Sequence, residues 1–330
     1  MNRLTAPYRN VLMHNAGVIT VPDAVRRSVE SRGAAGHAWL AALPDLVDEL
    51  CQAWSLRLGE VFDGGKWAYV VRARKAGGAA AVLKVALPTP DFERQIAAIT
   101  AAAGRGYVRL QEADTGRHAL LMEPLGPPLS AAGTTVEQML DVLAATLREA
   151  WRVPRPADAS VAPGTDKASS LLAFLDEPWP FLQEPCSPRL LARARALAER
   201  RAAAFDPDEC VLCHGDPHAD NALAVLTPRP GAQSGYVFVD PEAFLCEPAY
   251  DLGVTMRGWT QRVMAAADPA ALTRAWAARL AAAAELADPQ AAQAIWEWAF
   301  VERVTSGLYL LRHGHPDEGR AFLDSAERLV

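Results

Sequence analysis

The sequence predicts an α+β protein in which a small antiparallel sheet is followed by a mainly helical region. Three observations carry that expectation. Short β-type runs separated by turn residues fill the stretch from Gly59 to about Met122. Helical periodicity with capping signals takes over from Thr135. One strand-rich patch, from Cys210 to about Leu245, interrupts the helical half. The composition permits such a fold: 330 residues, 51% hydrophobic and 22% charged, can bury a large core. A net charge of −6 with both signs interspersed leaves no basic stripe, which argues against a nucleic-acid partner and suits a polar, cationic small molecule. Met1 to Thr20 lacks a long apolar run, so neither a secretory signal nor a membrane span is expected, and the reading is a cytoplasmic monomer or homodimer. Five scattered cysteines make no disulfide framework, and Cys210 and Cys213, in an apolar run, are expected to be buried thiols.

Taken in order, residues 38 to 56 have apolar positions at helical spacing, with Pro44 able to open a second helix. Two β-runs, Trp67 to Val71 and Ala79 to Ala86, flank the turn-prone Lys75-Ala-Gly-Gly78 and predict an antiparallel hairpin. Pro88 and Pro90 end it, and a helix is expected from Phe92 to Ala103, stopped by Gly104. Tyr107 to Leu110 and His118 to Met122 supply further short strands around a turn at Asp114-Thr-Gly116, and Gly126-Pro-Pro128 reads as a connector. Thr135-Val-Glu-Gln138 is a capping box opening a helix with Val136, Met139, Leu140, Leu143, Leu147 and Trp151 on one face. Ser187-Pro188, Asp268-Pro269 and Asp288-Pro289 each pair a capping residue with a first-turn proline and mark three more helix starts.

The chemistry concentrates in the strand-rich patch. Val211-Leu-Cys-His-Gly-Asp-Pro-His-Ala-Asp-Asn221 sets an apolar run directly before a dense polar loop, after which an apolar run resumes. A loop clamped between strands holds a catalytic group rigidly yet exposed. Further on, Tyr236-Val-Phe-Val-Asp240 ends in a carboxylate, and that carboxylate with the Asn221 amide forms an oxygen-ligand set suited to Mg²⁺ bound with phosphates.

These residues carry a resemblance. His214-Gly-Asp216 followed by Asn221 resembles the catalytic loop of aminoglycoside phosphotransferases, itself the counterpart of the protein-kinase His-Arg-Asp loop with its Asn five positions on. Asp240-Pro-Glu242 stands where the kinase Asp-Phe-Gly would, and Glu247-Pro-Ala-Tyr-Asp-Leu252 is similar to the signature that follows in that family. Upstream, Lys84 matches the strand lysine that pairs with α- and β-phosphates, Glu93 the helix glutamate that orients it, and Leu121-Met-Glu-Pro-Leu-Gly126, with Glu123 and Leu125, the adenine-binding hinge. Trp54-Ser-Leu, Tyr107-Val-Arg-Leu and Glu302 to Tyr309 resemble most the streptomycin 6-kinase and hydroxyurea phosphotransferase branch. The sequence departs from the pattern in two places. No full Gly-x-Gly-x-x-Gly loop exists, Gly64 and Gly65 being the only candidates, and Asp-Pro-Glu replaces Asp-Phe-Gly.

The resemblance implies a bilobal, protein-kinase-like fold: a nucleotide-binding lobe over 1–125 with a helical extension over 1–58, a hinge near 122–128, and a catalytic and substrate-binding lobe over 126–330. It implies ATP or GTP and Mg²⁺ as cofactors, Asp216 with His214 as catalytic residues, Asn221 and Asp240 as metal ligands, and Asp251 as a structural carboxylate holding the loop. Acidic residues of the second half are candidates for pairing with a cationic acceptor, Glu242, Asp176 and Glu302 foremost, with Glu177, Glu247 and Glu297 behind them. The acceptor expected is an aminoglycoside-like antibiotic; a metabolic amino-alcohol kinase and a nucleotide-binding pseudokinase are the alternatives. A hydrolytic Zn²⁺ cluster of His214, His218, Asp216 and Asp220 would leave Lys84 and the Pro-Ala-Tyr-Asp motif unexplained.

Overall fold

Period-two alternation across one sheet and a stripe of apolar residues on one helix account for the first part of the structure. The computed structural model describes residues 11–14, 17–63, 67–155, 161–162, 164–177 and 185–330. Two compact units divide the chain, one of residues up to 100 with 108–125, the other of 101–107 with 126–330.

In the first unit, β1 (Val11–His14) and β2 (Gly17–Thr20) form an antiparallel pair, followed by α1 (Asp23–Glu30) and α2 (Ala34–Trp54). A five-stranded antiparallel sheet comprises β3 (Leu56–Val61), β4 (Ala68–Lys75), β5 (Ala80–Ala86) and, beyond α3 (Phe92–Ala102), β6 (Leu110–Asp114) and β7 (Ala119–Met122), in the order β3-β4-β5-β7-β6. The expected turn closes β4 onto β5, with Gly78 N–H donating to Lys75 O at 2.8 Å and Gly78 at φ +86°. Leu83, Val85, Ala119 and Leu121 share one core with Leu40, Leu43, Val47 and Leu50 of α2. Lys84, between two of these core residues, therefore projects from the opposite face of the sheet, paired in register with Val70 and Leu120.

Two expectations change here. A single helix runs through buried Pro44, where a second start was predicted; apolar contacts on both sides of the proline hold α2 continuous despite the lost backbone donor. Tyr107 makes only an isolated bridge to Phe238, and β6 begins at Leu110.

The second unit contains α4 (Val136–Ala150), α5 (Lys167–Asp176) and α6 (Pro188–Ala203), then β8 (Val211–Cys213), β9 (Ala222–Ala224), β10 (Tyr236–Phe238) and β11 (Phe244–Cys246). It ends with α7 (Pro248–Arg257), α8 (Thr260–Met264), α9 (Pro269–Ala283), α10 (Ala291–Arg312) and α11 (Pro316–Glu327). The predicted capping box is formed on both sides, Thr135 Oγ1 accepting from Gln138 N–H and Gln138 Oε1 from Thr135 N–H. Ser187 and Asp268 cap α6 and α9. Asp288 instead closes a turn just ahead of α10, its carboxylate accepting from Gln290 N–H at 2.8 Å. Among the described residues no helix is long and apolar enough to cross a membrane.

The four short strands pair as two antiparallel ribbons, β8 with β11 and β9 with β10. Cys213 opposes Phe244, and Ala222 opposes Phe238, so the 214–221 and 239–243 loops leave the ribbons at the same end. Behind them, α7 packs onto α10 at Gly253, where a Cβ would meet Trp298 Cβ at 2.6 Å and Ala299 N at 2.8 Å. Gly253→Ala should push α7 off α10 and lower the urea unfolding free energy by about 1–3 kcal/mol; an unchanged midpoint would show that the two helices do not depend on this close approach.

Candidate active site

A buried carboxylate anchors the catalytic-loop candidate. Asp251, in the first turn of α7 and fully buried, accepts hydrogen bonds from His214 N–H (2.8 Å), Gly215 N–H (2.9 Å) and Trp151 Nε1–H (2.9 Å). Burial pushes its carboxyl upward, and these donors oppose the rise. Gly215 takes φ +92°, and a Cβ there would lie 2.7 Å from both Glu242 Cβ and Phe244 Cε1, so glycine is required twice over.

His214 corrects an expectation. Read from sequence as catalytic, it is fully buried, with Nδ1 accepting from Asp216 N–H (3.1 Å) and Nε2 opposite Val239 O (2.9 Å). A backbone N–H at Nδ1 fixes the Nε2–H tautomer, and both nitrogens are committed. Burial lowers its proton affinity. The ring thus positions Asp216 and ties the two loops together, and it has no nitrogen left for the Zn²⁺ cluster considered above. Among the described residues no group of three or more His, Cys, Asp and Glu could hold a metal ion.

Asp216 presents its carboxylate beside Arg257 Nη2, which bonds Oδ1, and His218 Nε2, 3.4 Å from Oδ2. Burial would raise its pKa, but the Arg257 charge and the His218 bond outweigh that and hold the carboxyl well below the usual range. Asn221 donates through Nδ2 to Asp216 O at 2.9 Å, so its Oδ1 is the amide atom able to ligate a cation. Asp240 sits in the neighbouring loop in a left-handed conformation, φ +61°. That loop is tied to the first by Val239 N–H to Asn221 O (3.0 Å) and Glu242 N–H to His214 O (2.7 Å). A carboxylate and an amide oxygen on adjoining, cross-linked loops are the hard donors that Mg²⁺ prefers.

Of the six acidic candidates, two join Asp216. Glu302 of α10 accepts from Tyr250 Oη–H (2.7 Å) and from Arg257 Nη1–H (2.9 Å), and Lys167 Nζ lies 3.8 Å from Glu242 and 4.0 Å from Glu302. Half of the Glu242 side chain is open to solvent, yet enclosure of its carboxyl, with Asp216 and Glu302 nearby, pushes its pKa up against the pull of Lys167. The other four are engaged in ion pairs: Asp176 with Arg195, Glu177 with Arg312, Glu247 with Arg201, and buried Glu297 with Arg200 and Arg201. Arg257 and Lys167 were missed in the sequence. Arg257 lies six residues beyond Asp251, on the same helix as the Pro-Ala-Tyr-Asp signature, a signal that was available; Lys167 carries none.

In the first unit, Lys84 is only 7% exposed, as a strand lysine with a specific partner requires. Glu93, expected to orient it, instead faces solvent: Phe92, Ile96 and Ile99 form the buried stripe of α3, and the polar residue nearest that stripe is half-buried Gln95, whose Oε1 is inaccessible. Glu123 and Leu125 are both partly buried; Glu123 N–H donates to Arg109 O at 3.0 Å and its carboxylate accepts from Arg109 N–H. Gly64 and Gly65 lie outside the described residues. Cys210 and Cys213 are buried, free thiols, and burial lifts the Cys210 thiol to about 12.

Residues 54–314 match the family described as aminoglycoside/hydroxyurea antibiotic resistance kinase. The streptomycin 6-kinase of Streptomyces griseus is 28% identical over 79% of this chain and 82% of its own length. The hydroxyurea phosphotransferase of Kitasatospora aureofaciens is 31% identical over 71% of this chain and 67% of its own. Among solved structures, an amicoumacin kinase superposes with a TM-score of 0.58 at 13% identity, covering 89% of this chain and 95% of its own. A macrolide 2′-phosphotransferase of type I gives 0.56 at 17%, covering 86% and 96%. At such identities these structures speak for the bilobal, kinase-like phosphotransferase fold alone.

The burial of His214 has a measurable consequence. The unfolded chain takes up the imidazole proton from about pH 6.5 downward, the folded chain only at lower pH, so acidification through this window removes stability by up to about 1.4 kcal/mol per pH unit. Urea midpoints at pH 7.5 and 5.5 should fall for the unmodified protein, while His214→Gln starts lower and falls less. Equal falls in the two proteins would remove His214 from this role.

Proposed function

Because the chain belongs to the aminoglycoside/hydroxyurea antibiotic resistance kinase family, a family of phosphotransferases, we propose that it moves the γ-phosphoryl group of ATP or GTP onto a hydroxyl of a polar, cationic, aminoglycoside-like small molecule. The observation that supports this reading best is the setting of Asp216: a part-exposed carboxylate on a loop fixed from below by Asp251, with Glu242, Glu302 and the rings of Phe244 and Tyr250 close by.

Phosphoryl transfer to a hydroxyl depends on alignment and on neutralising charge over the transferring oxygens. Asp216 accepts a hydrogen bond from the acceptor hydroxyl, aims its oxygen at phosphorus and receives the proton as the new O–P bond forms. Its depressed pKa makes it a weak base, which is adequate where bond formation to the nucleophile lags behind cleavage to the leaving group. Asn221 Oδ1 and the Asp240 carboxylate are the residues that would hold Mg²⁺, whose charge neutralises the triphosphate when bound. Lys84 adds a fixed positive charge toward the phosphates. For the adenine, Pro124 has no N–H and the Glu123 N–H is used by Arg109, so Leu125 supplies the backbone donor.

The test is phosphate transfer from ATP and from GTP to streptomycin, other aminoglycosides, hydroxyurea and amino alcohols. One acceptor class should stimulate turnover, and Asp216→Asn should cut kcat by roughly 10²- to 10⁴-fold with nucleotide affinity retained. Stimulation by amino alcohols alone would replace the antibiotic reading with a metabolic one. An Asp216→Asn variant with near-normal kcat would sink the assignment of the base.

A further inference from the structure

Lys167 stands in an unusual place. It is the first residue of α5, where the helix's unpaired N–H groups disfavour a cation. Its ammonium nevertheless lies between Glu242 Oε2 (3.8 Å) and Glu302 Oε1 (4.0 Å) and over the rings of Phe244 (4.9 Å) and Tyr250 (5.2 Å). Two carboxylates and two aromatic faces around one positive charge are what an organic cation seeks. The fit of Lys167 is loose, both carboxylate distances exceeding hydrogen-bond length, whereas Glu302 already has close partners in Tyr250 and Arg257. Three of the four cage groups stand on regular elements, Phe244 on β11, Tyr250 on α7 and Glu302 on α10, and Glu242 is held two residues ahead of Phe244 by its N–H bond to His214 O, while the occupant hangs on a flexible four-carbon stem. Arg257 joins the cage to the reacting centre, bonding Glu302 with one guanidinium nitrogen and Asp216 with the other.

We propose that Lys167 is a resident placeholder: its ammonium fills the subsite for a cationic group of the acceptor and withdraws when that group enters, making Lys167 a specificity-determining residue for the hydroxyl presented to Asp216. With Lys167 seated, Arg257 and Lys167 together balance most of the negative charge of Asp216, Glu242 and Glu302. An acceptor gains from the cage only by bringing a cation that fits it better than the lysine does. A planar guanidinium, which can bond a carboxylate in two places and stack on Phe244, meets that condition more fully than a primary ammonium.

Naming the cage an acceptor subsite rests on the phosphotransfer reading, but its test needs no turnover. Methylguanidinium and methylammonium are titrated into the full-length protein at low ionic strength by calorimetry or NMR, with NaCl as the control salt. Lys167→Met should bind methylguanidinium roughly 5- to 10-fold tighter than the unmodified protein, Lys167→Arg should bind it more weakly, and adding Phe244→Leu to Lys167→Met should abolish the gain. Circular dichroism establishes that each variant is folded. Unchanged or weaker binding by folded Lys167→Met overturns the proposal, even where phosphotransfer to an acceptor is normal. Tightening in the absence of phosphotransfer to any acceptor upholds the cation subsite and sinks the functional reading instead.

Discussion

The second unit is organised around one acceptor of hydrogen bonds, the Asp251 carboxylate. It is wholly buried, and three N–H donors and its place in the first turn of α7 satisfy it. A carboxylate at a helix N-terminus is favoured by the unpaired N–H groups there, which offsets part of the cost of taking its charge out of water. Because two of its donors are consecutive backbone amides of the 214–221 loop, the carboxylate fixes the loop's position and its turn together. Gly215 can then take its left-handed conformation hard against Glu242 and Phe244, and the next residue, Asp216, is delivered to the surface with little freedom of its own.

Charge is sorted into two kinds of network in this unit. Glu297 and Glu247 are bound to Arg200 and Arg201 and to Trp298, joining α6, α10 and the start of α7. An ion pair to a buried carboxylate is weak support for stability in itself, but losing the arginines would strand the charge of Glu297, so the pairing fixes where α10 lies. The second network, Asp216–Arg257–Glu302–Tyr250, begins on that fixed helix and ends on the part-exposed carboxylate. Arg257 has a double effect here. It keeps Asp216 ionised across the ordinary pH range, and it occupies Oδ1, so under the proposed function an acceptor hydroxyl would meet Asp216 with one side already defined.

What could be read from the sequence follows this division. The placement of Asp216, Asn221 and Asp240 was legible because they stand between short apolar runs: once β8 pairs with β11 and β9 with β10, the two loops must lie side by side. The holding role of Asp251, on α7, was expected only from the family resemblance. Lys84 was singled out by its match to the family's strand lysine, and its place between core residues on a strand accounts for its burial. The helical and long-range assignments were harder. Glu93 and Gln95 are two positions apart, and only the placement of Phe92, Ile96 and Ile99 in the core decides which turns inward. His214 was misread because a histidine in a polar loop looks reactive until both nitrogens are found bonded to backbone. Glu297 and Glu302 lie five residues apart on one helix, and nothing local announces that one pairs with Arg200 and Arg201 and the other with Arg257 beside Asp216.

The remaining step concerns strain. Asp240 and Ala243 both adopt left-handed backbone conformations, φ +61° and +57°, at a cost of about 1 kcal/mol or more each for residues with a Cβ. Between and beside them, Val239 N–H is held by Asn221 O and Glu242 N–H by His214 O, while Val239 O receives the His214 ring. The strained residues are therefore bracketed by three bonds to the catalytic-loop candidate, and those bonds offset what the conformation costs. Relaxing Asp240 would require breaking contacts that also hold His214, and through His214 the Asp216 N–H. The residue proposed to orient the acceptor and the residue proposed to hold the metal thus cannot shift independently: a distortion of either loop is transmitted to the other through backbone bonds. A reaction governed by alignment has most need of that constraint.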